Sequence, residues 1–220
     1  MAVVETANVA LIFLTLNPLK SNLAFMIHQF KNYLQEKIEM TDEQFDSISG
    51  ELRVKKFEKN QIVQYKGDQS KHGFFVGKGL LRAYSIDEKG KEHILQFAPE
   101  NWLISDRNSM NNEPSIFFID AIEATEAVLM PNDFIEEATR KVPCLQPLQI
   151  RLLNNSIRFM QKRINMLLSA TAEERYLDFI KLYPNLTLRV PQWMIASYLG
   201  ITPESLSRVR KELANKHFRP

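Results

Sequence analysis

Cysteine is nearly absent: Cys144 is the single one among 220 residues. That excludes an intrachain disulfide and leaves no thiolate cluster to hold iron–sulfur or zinc, so a reducing cytoplasm is the compartment that fits. Histidine is scarce and scattered. His28, His72, His93 and His217 show no ligand spacing, so each reads as a surface or structural histidine, and neither a metal nor a resident cofactor is expected. Long apolar runs are missing as well. The N-terminal run from Val9 to Leu16 is too short to cross a bilayer, and no basic segment precedes it as a signal peptide requires. Neither a membrane partner nor export is expected. No internal repeat is present, and with 45% hydrophobic and 25% charged residues the chain is neither disordered nor collagen-like. A phosphate-binding loop is lacking too. "GFFVGKG" from Gly73 has three residues between its first two glycines where such a loop has four, and Gly79 stands where Ser or Thr would hold magnesium. No enzyme is expected.

What charge there is lies unevenly. Residues 171–220 carry 8 Lys and Arg against 5 Asp and Glu, a balance of +3, while the first 170 residues carry 20 against 21, a balance of −1. After Glu204 the basic residues Arg208, Arg210, Lys211, Lys216 and Arg219 face one acid, Glu212. A polyanionic partner suits this end.

From Met26 to Leu52, Ile27, Phe30, Tyr33, Leu34, Ile38, Phe45 and Ile48 recur at helical spacing, broken near Met40. Thr41 and Gln44 form a capping box, so two helices are expected, with residues 1–25 an extension before them. From Val54 to Met130 the period changes to short β-rich runs with frequent turns, among them "QIVQY", "GFFVG", "LLRAYSI", "HILQF", "WLIS", "IFFIDAIEA" and "AVLM". Strands this short predict a closed or double-layered β domain, with a hairpin turn at Asp87–Gly90. Helical periodicity then returns. Ile150, Leu153, Ile157, Met160, Ile164 and Leu167 alternate spacings of three and four, the seam of a coiled coil. Leu145, Leu148, Leu152, Phe159 and Met166 form a second stripe, which gives one face to the β domain and leaves one for a second copy. A homodimer is expected.

"IASYLGITPESLSRVRKEL", Ile195 to Leu213, brings two helical runs together at one glycine. Pro191 suits a helix start, Gly200 a left-handed stop, and Thr202 with Pro203 a restart as cap and first helical residue. Ala196 permits close crossing, while Ile201, Leu206 and Val209 fill the angle, which is the helix-turn-helix arrangement. With Leu206, Val209 and Leu213 inward, Glu204, Ser207, Arg208 and Lys211 face outward. Double-stranded DNA is the partner that fits. Arg208 suits guanine O6 and N7 and Glu204 a cytosine amino group, with Ser207 beside them, while Thr202, Ser205, Arg210 and Lys211 suit phosphates.

At this point the chain resembles the Crp/Fnr family of bacterial transcription regulators. In the β region "YKGD", "FFVGKGLLRAYSIDEKGKEHIL" and "FAPENWLISD" keep the family's order and turn glycines, and "TPESLSRVRKEL" matches its recognition helix. The resemblance implies an α+β chain divided into four parts. Residues 1–25 are the extension, 26–135 a double-stranded β-helix (jelly-roll) sensor of cyclic-nucleotide-binding type, 136–170 a dimerisation helix, and 171–220 the helix-turn-helix. It also implies RNA polymerase as a partner. Two departures stand out. Where cyclic AMP-binding members carry Gly-Glu and Arg-Ser or Arg-Thr pairs, this chain reads Ile104-Ser105 and Phe117-Phe118. A cyclic phosphate without its arginine would lose charge-assisted bonds, so the effector is not expected to be a cyclic nucleotide. Arg82 and Arg107 are the candidates to replace it, and with Trp102, Ser105 and Phe118 they make up the expected effector pocket. Only "ANKHFRP" follows Leu213, so the β-hairpin wing usual in the family is absent or reduced. A ligand-binding or scaffolding module that has lost DNA binding is the alternative.

Overall fold

The computed structural model describes residues 18–106, 108 and 113–217. The run Val9–Leu16, Arg107, and Phe218 to Pro220 lie outside the described residues. The first helix, α1, spans Pro18–Gln35, and α2 spans Asp42–Ser49. Thr41 and Gln44 make the expected reciprocal cap of α2. The division drawn at residue 25 falls inside α1. Helical periodicity is visible from Met26 because Met26, Phe30 and Leu34 are buried at four-residue spacing, whereas Leu23 and Phe25 just before them are exposed.

Eight strands follow: β1 Arg53–Phe57, β2 Ile62–Gln64, β3 His72–Lys78, β4 Leu81–Ile86, β5 Glu92–Ala98, β6 Leu103–Ile104, β7 Phe118–Ala121 and β8 Thr125–Pro131. They form two antiparallel four-stranded sheets, ordered β1-β8-β3-β6 and β2-β7-β4-β5. The inner faces share one apolar core, with Phe74, Val76, Leu81, Ala83, Ile119 and Ala127 at its centre. Strand β3 reads as a continuous apolar run, and the first four residues of β4 are buried on both sides, because both faces of these strands are covered. On β3 the inward Phe74 and Val76 flank Phe75, which points out to α1 and the helices after β8. On β4 the inward Leu81 and Ala83 alternate with Arg82 and Tyr84 on the outer face. β1, "RVKKF", was not among the runs picked out from sequence. Its burial pattern leaves most of the strand in water, so alternation carried little signal.

Beyond β8 come α3 Phe134–Lys141 and α4 Leu145–Ser169, separated at Pro143. A dimer helix starting at residue 136 is therefore corrected to one starting at Leu145, because Pro143 interrupts helical backbone bonding. The remainder is α5 Ala172–Leu182, α6 Leu186–Arg189, α7 Gln192–Leu199 and α8 Pro203–His217. The stretch between α5 and Pro191 holds the single-turn helix α6. Two outer cores complete the molecule. One joins α1 to α4 with the first sheet, and the other joins α5 to α8 with Leu80, Tyr84, Ile94 and Phe97 of the second sheet.

Candidate nucleic-acid interface and sensor roll

Gly200 ends α7 in the left-handed conformation, φ 67° and ψ 33°, and its N–H donates to the carbonyls of Ala196 and Ser197. A β-carbon there would also press on Leu167 at 3.1 Å. Two residues later the Thr202 hydroxyl accepts from the N–H of Ser205 at 3.2 Å and restarts the chain as α8. Leu206 and Val209 are buried, and Ala196 is fully buried at the crossing. The sequence-predicted outward row follows from that anchoring. Glu204, Ser207, Arg208, Arg210 and Lys211 are all exposed, with Thr202 exposed and Ser205 half-buried at the turn. Among the described residues, none of Arg208, Arg210 or Lys211 sits in an ion pair. Hydrogen bonding to its own backbone N–H and to Thr202 holds the Glu204 carboxyl below the usual carboxylate range. The helix thus presents a charged acid, an arginine and a lysine on one open face, Glu204, Arg208 and Lys211, with Arg210 on another side. Lys216 reaches Glu173 of α5 at 2.8 Å and ties down the far end of α8. Among the described residues, no strand follows α8.

The long helix α4 turns Leu145 and Leu148 into its own protomer and keeps the other stripe outside. Ile150, Leu153, Ile157, Met160, Ile164 and Leu167 are between 36% and 57% exposed. Six large apolar side chains in one row are more than scattered surface residues explain.

Of the residues expected to form an effector pocket, Arg107 lies outside the described ones, and the other four, Arg82, Trp102, Ser105 and Phe118, are not gathered into one site. Arg82 lies on the outer face of β4, where it is bound bidentately by Asp120 at 2.8 Å and by Glu92 at 2.6 Å. Burial pulls its pKa down, but the two carboxylates outweigh burial and raise it, so the guanidinium stays charged and committed. Phe118 shares that outer face, stacked on Tyr84 at 5.3 Å. Trp102 packs on Tyr183 and Phe159. Ser105 lies beside Gly73, on the other sheet. The error has a geometric root: alternation along a strand places neighbours on opposite faces, and which face Arg82 takes depends on a partner 38 positions away.

Where β2, β6 and the approach to β7 converge, the structure holds a different buried polar group. Gln64 Nε2 donates to Ser115 Oγ, and Ser115 Oγ donates to Asp106 Oδ2, both at 2.6 Å. The N–H groups of Asn108 and Ile116 also donate to Asp106.

Sequence reasoning missed the joint between the roll and the C-terminal helices. Arg189 of α6 donates to both carboxylate oxygens of Glu100 at 2.9 Å, to Glu123, and to the Gly79 carbonyl at 3.0 Å. Gly79 has φ 93°, and a β-carbon on it would lie 2.5 Å from the Thr125 hydroxyl and 2.6 Å from the Ala124 carbonyl. Its N–H donates to the same Glu100. Ser197 of α7 bridges the backbone of β5, donating to Glu92 O and accepting from Ile94 N. Arg163 of α4 donates to Ile94 O and Tyr198 O and stacks 3.7 Å from the Tyr198 ring. Beneath these bonds Phe97, Phe179, Tyr183 and Tyr198 form one aromatic cluster. Arg189 and its two acids are separated by 89 and 66 positions, so no local spacing could have announced them.

Comparison with known proteins places these features in a wider set. The cyclic nucleotide-binding domain family matches residues 54–141. The fumarate and nitrate reduction regulatory protein of Vibrio cholerae is 30% identical over 172 residues, 71% of this chain and 67% of the relative. The anaerobic regulatory protein of Haemophilus influenzae is 27% identical over 183 residues, 77% of this chain and 70% of the relative. Among solved structures, FixK2 from Bradyrhizobium japonicum superposes with a TM-score of 0.65 at 19% identity, over 76% of this chain and 86% of that one. A CooA variant from Carboxydothermus hydrogenoformans gives 0.61 at 18% identity, over 83% of each chain. Both structural likenesses concern the fold.

Proposed function

The chain belongs to the Crp/Fnr family of transcription regulators, and on that footing we propose that it is a homodimer whose two α8 helices read half-sites in successive major grooves of duplex DNA. One observation carries the reading: α8 is anchored by Leu206 and Val209 while Glu204, Ser207 and Arg208 stand clear of the protein on the opposite side. Arg208 donates to a guanine edge, Glu204 accepts from a cytosine amino group and Ser207 lies between them. Thr202, Ser205, Arg210 and Lys211 hold phosphates and fix register. The exposed row from Ile150 to Leu167 pairs with its copy on a second chain, which sets the half-sites about 34 Å apart. RNA polymerase is the further partner in this reading.

The roll senses a signal other than a cyclic nucleotide. In support, Arg82 is already neutralised by Asp120 and Glu92 on the outer face. The buried polar group at the sheet ends is built around a carboxylate, Asp106, which an anionic phosphate would meet with like charge. Selection of bound duplexes from a fragmented genomic pool, followed by gel shifts at two salt concentrations, tests the DNA reading. A palindromic site bound far more tightly than random duplex is expected. Equal affinity for all duplexes, or none, would refute sequence-specific reading and favour a scaffold.

A further inference from the structure

A second feature of the molecule lies on the side of the roll away from the helix-turn-helix. Between α1, the outer face of β3, β6 and β8, and the helices α3 and α4, the side chains leave a cleft of about 250 Å³. Its walls are apolar: Phe30 from α1, Leu103 from β6, Met130 from β8, Ile135 from α3, and Leu148 and Leu152 from α4. Of the side chains that line it, Glu136 is the one with a full charge, and Arg140 holds it at 2.6 Å. Tyr33, Ser105, Asn132 and Gln149 add neutral polar groups.

We propose that this cleft is a binding site for an uncharged, mostly apolar small molecule, and that its occupancy bears on the dimer helix. The chemistry follows from the lining. An anion would find no cation in the walls, and a cation would find a carboxylate already paired. The size is bounded as well. A cavity of roughly 150 Å³ with such a lining holds benzene, and pockets for drug-sized ligands begin near ~300 Å³. The occupant is therefore about the size of two fused or linked rings, or an alkyl body of equal volume.

The link to the dimer rests on the reading of α4 given above. Leu148 and Leu152 form one wall of the cleft, and Leu153, on the same turn, both lines it and belongs to the exposed seam. A molecule seated against that wall touches the helix at the start of its intermolecular row. It shifts the dimer only to the extent that it binds one position of α4 better than another.

The uncharged two-ring fluorophore 2-naphthylamine tests this on the whole chain, with isotope-labelled methionine methyl groups read by NMR. Saturable binding of one probe per chain is expected, with the Met130 methyl shifting and the Met194 methyl of α7 unmoved. Leu152→Trp, or Ile135→Trp from the opposite wall, fills the cleft and should weaken the probe at least tenfold. The Met130 signal requires neither variant to fold. No saturable binding would overturn the site, as would a shift centred on Met160 of the seam or equal affinity in folded filled variants. Sedimentation and gel shifts on the same unmodified chain separate the two readings. A DNA-binding dimer that ignores the probe refutes the cleft alone, whereas a monomer whose Met130 responds refutes only the dimer.

Discussion

Arg208 and Lys211 are neighbours on one exposed face, yet the proposed function gives them parts in DNA binding that differ in kind. Arg208→Ala should cost about 1–3 kcal/mol at one guanine and relax preference there, whereas Lys211→Ala should weaken every duplex alike and flatten the salt slope by about one unit. Competition binding against single-base variants of the selected site distinguishes them, and uniform loss for the arginine variant would contradict its assignment. Gly79 is constrained in another way. Its positive φ and the backbone and hydroxyl packed against the missing β-carbon leave no room for a methyl group. Gly79→Ala should lower stability by about 2–3 kcal/mol, seen as a fall in the urea midpoint at unchanged slope.

At the scale of elements, α4 and α6 carry the testable weight. Ile157 is central in the exposed row of α4, so Ile157→Asp sets two carboxylates against each other across a dimer seam. Sedimentation should then show monomers, with folding intact because that side chain is 54% exposed in the single chain. Arg189 and its two acids are each partly solvated, so Arg189→Met should cost only about 1 kcal/mol of global stability. The sharper effect is local: hydrogen exchange across α6 and α7 should quicken. Acid should mimic the substitution. Burial raises the Glu100 pKa, but the Arg189 hydrogen bonds outweigh it and leave the carboxyl below its ordinary range. A lowered native pKa gives stabilisation that is full above the ordinary carboxylate pKa and is lost as pH falls through the lowered one. Exchange protection of α7 in the unmodified chain should therefore drop with acid and converge on that of Arg189→Met.

Across the whole molecule, what was legible in the sequence divides along a physical line. Local signals read well: the capping box at Thr41, the left-handed stop at Gly200 and the three-and-four spacing from Ile150 to Leu167 all depend on residues within a few positions of one another. The α8 face was legible for the same reason, since burying Leu206 and Val209 leaves Arg208 outside. Contacts across the chain were not. Arg82 was assigned to the effector pocket because its sheet face is decided by the distant Asp120, and Arg189 was passed over because its partners are turn carboxylates brought near only by folding. The start of α1 escaped notice as helix because the apolar pattern records where a helix touches something, and Leu23 and Phe25 are exposed ahead of the buried Met26.

The outer core shared by β4, β5 and α5 to α8 limits how the chain can be recombined. Tyr84, Ile94 and Phe97 belong as much to the C-terminal helices as to the roll, so the reader is not a detachable cassette. A chimera grafting α5 to α8 onto a relative's roll should express as an aggregating, protease-sensitive chain. Carrying over the outer-face residues of β4 and β5 together with Glu100 and Glu123 should restore a protease-resistant fold, which limited proteolysis of the two chimeras side by side would reveal.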